Sequence, residues 1–300
     1  MTASLLRFQP GWLLLLCAMP AAATERTPLS EALTFHASFD DGMDADFSRG
    51  SKTCQHPLNR PDVTSLENPS VVISQDRGRF GNALRFTRKS SDWPRYQGKE
   101  ILNYGPRNWS TTVSVWLRLD PDRDLEPGYC DPIQIVGDDL KKGFVFLEWS
   151  KDETPRFFRY AIRPLFHIWN PDGVKWDEIP AEKRPMVQIA NAPFSSDRWT
   201  HVLFTVENGN DSSKPQIGKL YLNGELAGSI QNWDLTFGWN PEQTQLVLGA
   251  AYVGEMDDLA VFNRALTDTE ARELYELKEG VSSLYKDDSS AQSPGAAEGM

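Results

Sequence analysis

Gly254-Glu-Met-Asp-Asp-Leu-Ala-Val-Phe-Asn-Arg-Ala-Leu-Thr-Asp-Thr-Glu270 reads as a strand, a turn and a capped helix. Met256, Leu259, Val261 and Leu266 are apolar, with the polar Asp257-Asp258 between the first two, until Asn263-Arg264 break the strand. Thr267 precedes Glu270 at the capping-box spacing, at which each side chain satisfies an open amide of the first helical turn. Ala271, Leu274, Tyr275 and Leu277 follow at helical spacing, so the short helix buries one face.

Outward from this stretch, strand-like runs recur from Leu33 onward, separated by Gly, Pro, Asn and Asp. That pattern predicts an all-β sandwich and not alternating βαβ units. Lys219 to Gly228 is the clearest hairpin: Leu220 and Leu222 alternate with Lys219 and Tyr221, and Asn223-Gly224 supplies the two positive-φ positions of a type I′ turn. In Thr111 to Leu119, Val113, Val115, Leu117 and Leu119 share one face and Ser114, Trp116 and Arg118 the other. The aliphatic row belongs between the sheets. Trp116 then points to the outside of its sheet or into a cover formed by a loop.

The C-terminal stretch resembles the closing segment of LamG-like (laminin G-like) domains of the concanavalin A-like lectin/glucanase superfamily. Gly78-Arg-Phe-Gly-Asn-Ala-Leu-Arg-Phe86, Thr111-Thr-Val-Ser-Val-Trp-Leu117, Arg198-Trp-Thr-His-Val-Leu-Phe204 and Lys219-Leu-Tyr-Leu-Asn-Gly-Glu-Leu226 extend the resemblance in the expected order. It implies a concanavalin A-like jelly-roll sandwich of two antiparallel sheets with a short C-terminal helix, over roughly Leu33 to Leu277.

The first residues read as an export signal, 1–23: Arg7 precedes the apolar core Trp12 to Met19, and Ala21-Ala-Ala23 offers a small-residue cleavage site. A linker 24–32, the jelly-roll domain 33–278 and a disordered tail 279–300 follow, the tail being polar and poor in residues to bury. This organisation predicts an exported protein, periplasmic, cell-envelope or extracellular, with no membrane insertion after cleavage. The formal net charge of −11 becomes −12 once Arg7 leaves. Such a balance opposes non-specific binding to nucleic acid and to anionic lipid. Cys54 and Cys130 remain in the mature chain, and the sequence leaves open whether they form a disulfide.

Catalytic patterns are sparse. Retaining glycan hydrolysis needs two carboxylates about 5–5.5 Å apart, and the related glucanases place them in a Glu-x-Asp-x-x-Glu pattern that this chain lacks. The nearest acidic group is Glu148 with Asp152 and Glu153, read as charges at a strand end. There is no Gly-x-Ser-x-Gly elbow, and His36, His56, His167 and His201 stand in different contexts. His201 reads as a packed sheet residue, and His167 is the histidine to test first for activity.

The segment Lys151 to Pro193 is a long, proline-punctuated stretch rich in aromatic residues, and loops of this length are usually functional or partly structured. Flat rings suit the C–H faces of pyranose units, with polar groups fixing orientation. The candidate ligand-binding residues are therefore Trp116, Trp149, Trp169 and Trp176, with Tyr160, Arg163 and His167. For any single tryptophan the competing reading is a core filler.

Phe39-Asp40-Asp41-Gly42 brings hard oxygen donors beside a glycine turn. Since the resemblance makes the first and last strands neighbours, it implies a structural Ca²⁺ shared by Asp40 and Asp257. The competing reading is turn-forming aspartates that bind no metal. The expected function is an exported, non-catalytic module that recognises a polysaccharide or glycoprotein. Two alternatives stand beside it: a glycan-active hydrolase or lyase with an unfamiliar site, and a protein-binding envelope or adhesion domain.

Overall fold

A computed structural model describes residues 28–56 and 69–286. The predicted export signal, residues 24–27 of the predicted linker, residues 57–68 and residues 287–300 of the predicted tail lie outside the described residues.

Two antiparallel sheets stack face to face, their strands numbered in chain order. The first sheet runs β13 (Glu225–Ile230), β12 (Ile217–Leu222), β11 (Thr200–Gly209), β6 (Trp109–Arg118), β15 (Gly254–Phe262), β1 (Leu33–Ala37) and β2 (Phe47–Ser48). The short pair β3 (Val71–Ser74) and β4 (Ala83–Phe86) joins it at the start of β15. The second sheet runs β10 (Met186–Ile189), β9 (Phe158–Arg163), β8 (Phe144–Trp149), β7 (Asp131–Val136), β14 (Gln245–Ala250) and β5 (Arg95–Gln97). The sandwich expected from the sequence is therefore the one observed, and the first and last strands are neighbours, with Phe35 opposite Val261.

The alternation read from the sequence sets the core. Val113, Val115 and Leu117 of β6 are buried between the sheets with Val202, Phe204 and Leu220 from the neighbouring strands. A strand reverses its side-chain direction at every residue, yet Met256 and Leu259, an odd number apart, both enter this core. The β15–β6 register shifts between Asp257 and Ala260, and Asp258 takes a φ of 50°, so one extra residue is accommodated in a bulge. The bulge leaves Asp257 and Asp258 together on the outer side of the sheet.

That outer side carries its own small core. Helix α4 spans Asp268–Glu276 (α1 is Leu29–Ala32, α2 Pro121–Asp124 and α3 Phe166–Trp169). Its predicted capping box is formed: Thr267 Oγ1 accepts from the Glu270 amide at 3.2 Å, and Glu270 Oε2 accepts from the Thr267 amide at 2.8 Å. Ala271 and Leu274 pack with Leu33, Leu203, Ala260 and Phe262 beneath the helix. The predicted turn at Asn223-Gly224 has φ of 51° and 77°, the left-handed pair of a type I′ hairpin.

Within the predicted tail 279–300, Val281–Leu284 forms a 3-10 turn, and Val281 joins the outer core. The reason is apolar burial by two residues that composition alone groups with a polar tail: Tyr285 also stacks on Phe47 at 5.2 Å. Cys54 and Cys130 are both buried and form no disulfide. Burial pushes their thiols up to about 12 and about 11, which keeps them protonated and unreactive near neutral pH.

Candidate functional site

The proline-rich segment does not stand out as a loop. Its two ends become β9 and β10, which complete one edge of the second sheet, and its middle, 164–185, forms a strap over the outer face of that sheet. Phe158 and Tyr160 point inward: Tyr160 is fully buried and its hydroxyl donates to the Thr205 carbonyl at 2.6 Å. Trp149 is also fully buried, among Phe158, Phe194 and Tyr252. Neither ring presents a face to solvent, so Trp149, a candidate platform, and Tyr160, a candidate polar helper, are core residues instead.

Trp116 does point to the outside of its sheet, as its alternation requires, but α4 and the loop before β4 cover it. Tyr275 stacks on it at 5.6 Å, Phe80 meets it edge-on at 6.0 Å, and the ring is 4% exposed. His201 packs beside it and shares a hydrogen bond with Ser114 Oγ at 2.8 Å. Burial lowers the His201 pKa to about 3, so the imidazole is neutral and structural, as its alternation implied.

Arg163, Trp169 and Trp176 do come together beneath the strap. The Arg163 guanidinium lies 3.8 Å from the Trp176 ring centre and 5.0 Å from that of Trp169, above Phe146 at 4.7 Å. Trp169 is 9% exposed, Trp176 is half-buried and His167 is exposed at the edge of α3. This cluster seals the strap to the sheet through cation–π stacking and apolar contact, so it does not form the open aromatic groove expected from composition.

Below it lies an acid–base group that the sequence reading set aside. Glu148 on β8 is buried and paired with Arg159 Nη1 at 3.1 Å. Asp131 stands on the adjacent strand β7, where burial, and then the Glu148 charge, push its carboxyl up to about 8. Glu148 was read as a solvated charge at a strand end, but it is buried. That burial depends on segments too far apart along the chain for any local pattern to reveal it.

Asp40 and Asp257, the predicted calcium ligands, meet the same loop. The Asp257 carboxylate accepts from the Phe80 amide at 2.9 Å and from the Asp258 amide at 2.7 Å, while Asp40 Oδ1 accepts from the Asn82 amide at 2.8 Å. The loop Gly78–Asn82 is thus gripped from both sides. Gly78 has no room for a side chain, because an added Cβ would stand 2.1 Å from the Asn82 carbonyl oxygen and 2.8 Å from Asp257 Oδ2. Among the described residues no basic side chain compensates Asp257, and burial raises its pKa to about 8. Two carboxylates beside loop carbonyls are an oxygen-only donor set of the kind Ca²⁺ takes. Among the described residues, however, no cluster of three or more His, Cys, Asp or Glu side chains converges on one point.

A pH dependence follows from Asp131 and Asp257, both raised to about 8. The folded chain holds two protons that the unfolded chain releases above about pH 4, so stability falls as pH rises between these limits. His201 contributes in the opposite sense, but only below about pH 6.5, where the unfolded imidazole charges. Between pH 6.5 and 8 the expected loss of unfolding free energy is on the order of 2–3 kcal/mol. Urea denaturation at the two pH values measures it. Asp131→Asn, which mimics the protonated acid, is expected to halve the difference, and an undiminished difference would remove Asp131 as its source.

An open cleft lies elsewhere, at the end of the first sheet where β4, β15 and β6 run side by side. Glu255 is directly opposite Arg85 on one side and Arg118 on the other, and residues paired across antiparallel strands point to the same face. With Arg77, Arg123 and Asp124 they line a cleft of about 320 Å³, floored by Phe86, Leu119 and Val253. Arg118 Nε donates to Glu255 Oε2 at 2.6 Å, its Nη2 donates to the Arg77 carbonyl at 2.7 Å, and its guanidinium lies 4.6 Å from the Trp199 ring. The sequence reading missed Arg77, Arg85, Arg118, Arg123, Trp199 and Glu255 as site residues. Arg118 lies on the polar face that alternation gives β6, and Arg85 lies within a segment quoted for the resemblance, but their convergence depends on register.

No curated protein sequence matches the chain. Among solved structures, domain 4 of AbnA, an extracellular GH43 arabinanase from Geobacillus stearothermophilus solved with arabinotriose, is similar at 19% identity and a TM-score of 0.46, over 81% of this chain and 98% of that one. The receptor binding domain of botulinum neurotoxin D matches at 12% identity and a TM-score of 0.54, over 83% of this chain and 53% of its own. The binding domain of serotype G matches at 12% identity and a TM-score of 0.50, over 81% and 50%. The chain therefore spans about half the length of the toxin domains, and at these identities the likeness is one of fold. A laminin G-type family profile matches residues 102–272, more than half of the sequence and most of both sheets. With the two stacked sheets, the neighbouring end strands and the capped closing helix, the chain belongs to the concanavalin A-like lectin/glucanases superfamily.

Proposed function

We propose that this chain is an exported, non-catalytic module that binds a polysaccharide or glycoprotein through the cleft formed by β4, β15 and β6. The observation that carries the reading is the cleft itself, which combines an apolar floor with convergent polar side chains held on rigid strands. The fold lends support, since the superfamily is named for lectins and glucanases. The botulinum serotype D ligand binding domain, of similar architecture, was solved with N-acetylneuraminic acid. The predicted signal at 1–23 supports export, and no helix among the described residues is long and apolar enough to cross a membrane. A protein-binding role finds less support, because the exposed large hydrophobic residues among the described ones, Leu140, Val174 and Leu226, come from separate segments.

A second reading, glycan cleavage, draws on Asp131 and Glu148, two carboxylates on adjacent strands with raised pKa values. Against it, Glu148 is buried, and Arg159 is committed to it. In the favoured reading Ca²⁺ supports the loop Gly78–Asn82 through Asp40 and Asp257, holding Arg77 at the rim.

Glycan-array screening and affinity electrophoresis of the mature chain test the binding. Retention by at least one polysaccharide, without release of reducing ends, is the expected result, and absence of binding across the panel sinks the proposal. Millimolar CaCl₂ added after chelation is expected to raise the unfolding temperature by a few degrees, and Asp257→Asn to remove the rise. An unfolding temperature indifferent to calcium would dismiss the ion and leave the cleft untouched.

A further inference from the structure

We infer that the cleft takes an acidic saccharide, one carrying carboxylate or sulfate groups, and that Arg85 and Arg77 bind the anionic group. This names the ligand class of the binding site proposed above and rests on that reading.

The chain as a whole is acidic, with 42 Asp and Glu against 31 Lys and Arg. The cleft inverts this balance: Arg77, Arg85, Arg118 and Arg123 face Asp124 and Glu255. The two carboxylates are committed. Glu255, 6% exposed, is held by Arg118 at 2.6 Å, and Asp124 accepts from Arg123 Nε at 3.0 Å. Arg77 reaches Glu255 only at 3.4 Å and keeps an exposed side chain. Arg85 is exposed and has no carboxylate partner among the described residues, although it lies directly across the strand pair from Glu255. Arg118 already satisfies that glutamate, so two guanidinium groups remain at the rim with donors to spare.

A neutral glycan has no need of surplus positive charge. A planar carboxylate or a sulfate ester does, because the guanidinium fork donates two parallel hydrogen bonds to such groups. The volume, about 320 Å³, admits a short segment of a glycan chain. The net negative charge elsewhere does not forbid the encounter, since exposed charges more than about 8 Å apart are screened at physiological salt.

Titration of the mature chain with neutral arabinan, polygalacturonate, dextran sulfate and single-stranded DNA tests the inference, beside the double variant Arg77→Ala/Arg85→Ala. The expected result is preference for one or both acidic glycans, weakened about tenfold by the double variant and similarly by about 0.5 M NaCl. Both substitutions lie on exposed side chains, so an unchanged unfolding midpoint certifies that the fold is intact. Polygalacturonate alone would assign a carboxylate, and dextran sulfate alone or both polymers a general oxyanion site; each supports the inference. Arabinan bound as tightly as the acidic polymers, with no effect of the double variant, overturns it while leaving carbohydrate binding in place. DNA bound as tightly as the acidic glycans also overturns it, by showing indifference to the sugar. If no saccharide polymer binds, the functional reading falls as well.

Discussion

Trp149→Ala is expected to lower the unfolding free energy by about 3–5 kcal/mol, the range for truncating a large buried ring. The indole is fully buried, contacts Phe158 and Phe194 at 4.9 Å each, and stacks on Tyr252 at 5.7 Å. Its removal leaves a void that three other aromatic rings cannot collapse to fill, because they are anchored on different strands and loops. Trp149→Phe keeps most of the contact and is expected to cost about half as much. Chemical denaturation of the two variants measures the difference. A cost below about 1 kcal/mol for alanine would return Trp149 to the list of exposed ligand platforms. Measured where the variant is still folded, glycan binding is expected to survive the substitution, since the cleft lies on other strands.

Asp258→Ala is the second large effect, at about 2–4 kcal/mol, because it strands two buried donors at about 1–3 kcal/mol each. The first is His36, fully buried on β1, whose Nε2 lies 2.7 Å from Asp258 Oδ1. The second is the Val281 amide, 3.2 Å from Asp258 Oδ2. His36 Nδ1 in turn meets the Tyr285 hydroxyl at 2.8 Å, so one carboxylate ties the first strand to the terminal turn. Beyond the loss in stability, amide exchange at Val281–Leu284 is expected to quicken while β6 and β11 keep their protection in the folded state. Unaltered exchange at the terminal turn would show that Asp258 does not hold it.

Much of the fold was legible because its signals are local. The alternation of Val113, Val115 and Leu117, the Asn223-Gly224 turn and the Thr267–Glu270 box each involve residues a few positions apart, and all three form as read. The site was less legible. Aromatic content drew attention to Trp116, Trp149 and Tyr160, but an indole or phenol satisfies a core as readily as a sugar. The structure places the first under α4 and the other two between the sheets. Arg163, Trp169 and Trp176 of that candidate set come together, yet they seal a strap instead of lining a groove. Arg85 and Arg118 sat in view within the quoted segments, and alternation put Arg118 on a polar face, whereas Arg77 and Arg123 lie outside those segments. Nothing local says that β4 and β6 flank β15 so that Arg85 and Arg118 share one glutamate.

What the sequence determined by itself is which residues face inward along each strand, where the chain turns, and how its last helix starts, since these depend on steric and hydrogen-bonding preferences within a few residues. Only the tertiary structure decided which side of a sheet is covered and which is open. The bulge at Asp258, the burial of Glu148 and the cleft beside Glu255 all come from pairing between segments tens to hundreds of residues apart. Desolvation and charge excess are properties of that assembled neighbourhood, and no single strand carries them.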